Sequence, residues 1–121
     1  MSAQWIIEEP VVAAVAADAA LATPGVVRLE TGVGGLVRSW GRGKWQQVKG
    51  ITPAPATGAL AEFGDGDLRV RVGIATSGAV PAAAVARQVQ REVRAAVTKQ
   101  TGLDVAEVSV VVLDIEPAEV P

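Results

Sequence analysis

Three closely spaced carboxylate pairs, Glu8/Glu9, Asp65/Asp67 and Asp114/Glu116, have the types and spacing for acid–base or cation chemistry. A general acid and a general base need an apolar pocket that separates their proton affinities, and each pair has a simpler place. Glu8 and Glu9 precede a helical pattern, where negative charge meets the positive end of the helix dipole. Asp65 and Asp67 alternate with Gly64 and Gly66 in hairpin-turn chemistry. Two aspartates also fall short of the six or more oxygens that calcium takes. Asp114 and Glu116 open an acidic, proline-containing tail. The glycine motifs fail as well: Gly32-Val33-Gly34-Gly35 lacks the third glycine of a dinucleotide loop. Gly43-Lys44 lacks both the upstream glycine and the following hydroxyl residue of a P-loop. With no cysteine, histidine or tyrosine, thiolate and imidazole metal sites and Ser-His or Cys-His catalysis are excluded. No catalytic, metal or cofactor-binding residue is assigned, and neither enzymatic activity nor a small-molecule substrate is expected.

The chemistry that remains is electrostatic. Residues 31–58 are rich in glycine and carry Arg38, Trp40, Arg42, Lys44, Trp45 and Lys49 without an intervening acid. One reading folds the tryptophans back onto the core, since tryptophan is usually mostly buried. Against anionic lipid the four basic residues contribute roughly 1 kcal/mol each, too little to hold a monomer, so oligomerisation is needed for membrane contact. For single-stranded nucleic acid the tryptophans would stack on bases at about 1–3 kcal/mol each while the cations follow phosphates. Arg87, Arg91 and Arg94 form a row on a later helix that extends such a surface.

The element that positions this row runs from Pro81 to Gly102. Val85, Val89, Val93 and Val97 recur every four residues and form one apolar face, with the arginines on another. Proline suits the first turn of a helix and glycine its left-handed end. Burying four valines is worth on the order of 6–12 kcal/mol before ordering entropy is subtracted. The strand that follows places Val108, Val110 and Val112 on one face and Val111, Leu113 and Ile115 on the other. A strand apolar on both faces is central or lies at a subunit contact, which makes Val111, Leu113 and Ile115 a candidate self-association strand. Upstream, residues 3–7 predict a short strand, residues 11–22 an alanine-rich helix, and Val26, Val27 and Leu29 a strand after Pro24-Gly25. Residues 59–63 and 68–74 predict a hairpin. The fold expected is α+β and split β-α-β-like: a mainly antiparallel sheet of three to five strands with two helices on one face. Residues 1–115 form one domain with an irregular basic insert at 31–58, and residues 116–121 a frayed acidic tail. The net charge of -2 argues against a general nucleic-acid binder. A first segment without basic residues, and no run of about 18 apolar residues, predict a cytoplasmic chain.

The pattern Val80-Pro81, Val85-Ala86-Arg87, Val89-Gln90, Val93, Ala96-Val97, Thr101-Gly102-Leu103, and then Val105, Val108, Val110, Val112 and Asp114-Ile115 resembles the C-terminal signature of the alkaline-shock-protein (Asp- and Gls-type) family of bacterial envelope stress proteins. Val12, Ala16 and Ala20 followed by Pro24-Gly25-Val26 agree with its N-terminal half, and Gly41-Arg42 and Val48-Lys49-Gly50 resemble its middle loop more loosely. The resemblance implies a small non-enzymatic cytoplasmic protein without cofactors, an envelope-stress scaffold or adaptor that forms homo-oligomers. It further implies recruitment to the membrane by a small membrane-anchoring protein. The alternative from the residues alone is a single-stranded nucleic-acid-binding module built on residues 38–49.

Overall fold

The structure is a computed structural model that describes residues 3–31 and 58–117. In chain order the described elements are α1 (Glu9–Leu21), β1 (Val26–Leu29), β2 (Ala59–Gly64), β3 (Asp67–Ser77), α2 (Ala82–Thr101) and β4 (Glu107–Glu116). The long strand β3 is the axis of the sheet. On one side it pairs antiparallel with β2 over Asp67–Val72 and with β1 over Ile74–Thr76, so these two strands lie end to end along a single edge. On its other side it pairs parallel with β4, the crossover being made by α2. The sheet is therefore mainly antiparallel with one parallel pair, and both helices pack on the same face, as expected.

That packing follows from strand alternation. Leu68, Val70, Val72 and Ile74 of β3 point to the helices and meet Val12, Ala16 and Ala20 of α1 and Val85, Val89, Val93 and Val97 of α2 in one buried cluster. Alanine on α1 lets the helix approach closely. Gly25, with φ at 96°, turns the chain directly beneath α2, and a Cβ there would stand 2.6 Å from Val85 Cγ2. At the far end of α2, Gly102 adopts φ 80° and its N–H donates to the Thr98 carbonyl, the left-handed stop expected from the sequence. The hairpin between β2 and β3 has Asp65 at φ 54° and Gly66 at φ 83°, the two positive angles that a two-residue turn matched to strand twist requires. Gly73 joins the ends of the two strands on its edge: its carbonyl accepts from Glu30 N–H at 2.9 Å and its N–H donates to the Gly58 carbonyl at 3.0 Å.

Three features depart from the sequence reading. Residues 3–8 are not a strand: Ile7 packs against the core, whereas Trp5 is 71% and Ile6 74% exposed. Strand propensity is realised only beside an edge that can accept it, and on β2 the Phe63 N–H is already taken by the Glu9 carboxylate at 3.0 Å. Second, both neighbours of Ala75 carry a β-bulge. Val27 is the extra residue of β1 and Leu113 that of β4. Third, β4 continues through Glu116, whose carbonyl accepts from Gly78 N–H at 2.6 Å, one residue into the segment expected to fray.

Candidate interaction surfaces

Arg87, Arg91 and Arg94 recur at helical spacing on the flank of α2 next to its valine stripe, and the structure brings them to one groove between α2 and β4. Gln90, Ala95, Thr98 and Val108 complete the groove, and no acid lines it. Three of its side chains are anchored to backbone carbonyls. Arg94 donates to the Val105 carbonyl, and Gln90 Nε2 donates to the Val108 carbonyl at 3.1 Å. Thr98 Oγ1 donates to the Leu103 carbonyl at 3.0 Å, tying the helix end to the loop before β4. Arg91 donates to Gln88 Oε1 at 2.5 Å, and Gln88 in turn donates to Glu92 at 2.7 Å, which directs that acid away from the groove. Arg87 has no ion-pair or hydrogen-bond partner among the described residues. Three guanidinium groups in a row without a counter-charge favour carboxylate or phosphate ligands. The residues expected to stack or to carry charge beside them, Arg38, Trp40, Arg42, Lys44, Trp45 and Lys49, lie outside the described residues.

The edge of β4 adjoins this groove. Among the described residues β4 is paired on one side only. The Val108 carbonyl held by Gln90 points away from β3, and by strand alternation so do the backbone groups of Val110 and Val112. The proposed self-association strand does not present Val111, Leu113 and Ile115 on one face. Val111 stands opposite Gly73 on the face away from the helices, Leu113 occupies the bulge at 39% exposure, and Ile115 pairs with Thr76 at 52% exposure. The bulge shifts the alternation by one residue.

A cluster not anticipated from the sequence lies on that second face. The two bulges align Arg28, Ala75 and Asp114 in one row, and the Arg28 side chain spans it. Its guanidinium donates to Glu30 at 2.8 Å, to Asp114 at 3.0 Å and to Glu116, so one cation gathers acids from both outer strands. The hydrogen bond to Glu116, and after it the hydrogen bond to Glu30, raises the Arg28 pKa above the usual arginine value. Further along the same face Arg71 lies between Leu60 and Ser109 by register, and burial lowers its pKa from that value. The signal for the Arg28 cluster was the spacing of two in Arg28/Glu30 and in Asp114/Glu116. The partners lie 86 residues apart, so only the sheet register joins them. Of the carboxylate pairs weighed for catalysis, Asp114/Glu116 is thereby committed to Arg28, while Asp65 sits in the hairpin turn and Asp67 begins β3. Glu9 closes the β2 edge.

These features describe a two-layer α+β domain, with helices over one sheet face, an ion-paired second face, and a basic groove beside a strand edge that has no partner among the described residues. The chain belongs to the alkaline-shock-protein (Asp-type) family, described by a cell-envelope-related function, whose family model it matches over residues 2–117. No curated protein and no solved structure matches it.

Proposed function

We propose that this chain is a non-enzymatic scaffold or adaptor of the cell envelope. In this reading it self-associates on the cytoplasmic side and is held at the inner face of the membrane by a small membrane-anchoring protein. The observation that carries the reading is the family match over nearly the whole chain, with its envelope-related function. Two features support it. A chain without cysteine or histidine lacks the commonest nucleophile–base pairs, and among the described residues Arg87, Arg91 and Arg94 line a groove that no acid lines. Among the described residues no helix is long and apolar enough to cross a membrane, which is why the reading assigns attachment to a partner.

The test is flotation of the purified full chain with anionic vesicles, alone and with vesicles carrying candidate membrane proteins encoded beside it. Flotation only in the presence of such a protein is the expected result. Failure with every candidate, together with turnover of any substrate, would replace the scaffold with an enzyme.

A further inference from the structure

Residues 3–8 and the outer edge of β4 complement one another, although within one chain they are far apart. The segment ahead of α1 has strand-forming residues that pair with no strand among the described residues: Trp5 and Ile6 are the two most exposed large hydrophobics there, and Glu8 holds extended angles of φ -87° and ψ 158°. It leaves α1 beside β2, where Glu9 meets Phe63, whereas β4 is on the opposite edge of the sheet. The β2 edge is the less suitable acceptor because that carboxylate already occupies it. The β4 edge has outward backbone groups at Val110 and Val112, exposed apolar side chains at Leu113 and Ile115, and at its start the acid-free row Arg87, Arg91 and Arg94.

We propose that residues 3–8 of one copy add to the β4 edge of a second copy, the edge left unpaired among the described residues, as an antiparallel strand. Edge strands accept such additions through main-chain hydrogen bonds, with specificity set by the side chains. Polarity is fixed by charge and apolar surface together. Antiparallel pairing lays Trp5 and Ile6 against Leu113 and Ile115 and brings Glu8 to the arginine row. Parallel pairing would set Glu8 against Asp114 and Glu116, two acids already shared with Arg28. The bulge at Leu113 ends the regular edge and limits the register that can form. The proposal rests on the self-associating scaffold reading and names the surface through which copies join.

Sedimentation equilibrium of the full chain, from micromolar to millimolar concentration, tests it. The expected result is a mass above the monomer that falls with Ile6→Asp, with a dissociation constant at least tenfold weaker and an unchanged low-concentration melting curve, because Ile6 contributes little to the monomer. Glu8→Arg and Arg91→Glu each weaken association, and the double variant restores it, the pattern of a direct charge pair. A peptide of residues 3–9 competes with the assembly. An assembled chain indifferent to Ile6→Asp and to both charge reversals overturns the arm contact while leaving the scaffold reading intact. A chain monomeric at millimolar concentration overturns both. A foreign acidic peptide that binds the groove, with the assembly unaffected by Ile6→Asp, reassigns the surface to another protein and also overturns the proposal.

Discussion

Single side chains divide here into those that hold the domain together and those that only face outward, although both kinds sit on the same helix. Val93 is fully buried among the valines of α2 and the β3 stripe. Val93→Asp would place a carboxylate there without a partner, a cost of several kcal/mol that exceeds what most small domains can lose. The expected outcome is loss of the cooperative melt by circular dichroism. Two residues earlier, Arg91 is exposed and donates to the half-buried Gln88 side chain, so Arg91→Ala leaves the low-concentration melting temperature nearly unchanged. Gly25 is the third case. Its φ of 96° and the 2.6 Å approach to Val85 Cγ2 combine backbone strain with a clash, so Gly25→Ala destabilises by about 1–3 kcal/mol in denaturant titration. An unchanged midpoint would mean that α1 and α2 can separate at this turn.

At the scale of elements, the bulges decide how β4 is held. Upstream of Leu113 the strand is fixed by regular pairing with β3 and by valines against the core; downstream, Asp114 and Glu116 are additionally tied to Arg28. Arg28→Ala is expected to speed amide exchange at residues 114–116 while leaving Val108 to Val112 protected, measured by hydrogen–deuterium exchange. Uniform acceleration along β4 would show that Arg28 supports the whole edge. The sequence disclosed α2 because its valines repeat at helical spacing between a proline and a glycine, and the hairpin because Asp65-Gly66 suits a turn with two positive angles. Residues 3–7 were misread because their composition reports affinity for an edge but not whether one is vacant nearby. The bulges left no mark, since Val27 and Leu113 are ordinary strand residues, and without them Arg28 could not be matched to acids 86 positions away. The arginine row was legible from helical spacing, but its lack of a counter-charge depended on Gln88 drawing Glu92 aside.

For the whole molecule, self-association and stability are one equilibrium. Both helices and β2, β3 and β4 contribute to a single buried cluster against which Val26 and Leu29 of β1 pack, so the described residues should unfold in one transition. Anything that binds the folded form alone raises that transition by mass action, about 2.7 kcal/mol when the free partner exceeds its dissociation constant a hundredfold. For a domain of this size each kcal/mol moves the melting temperature by roughly 4–8 °C. If copies join through folded surfaces, the melting temperature must climb with protein concentration, by several degrees once assembly is well populated. The climb should be absent from a variant that folds but cannot assemble. Calorimetry across a wide concentration range measures this directly. A melting temperature independent of concentration, in a sample whose mass shows assembly, would mean that the unfolded chain associates equally well, and the folded surfaces described above would then not be what joins the copies.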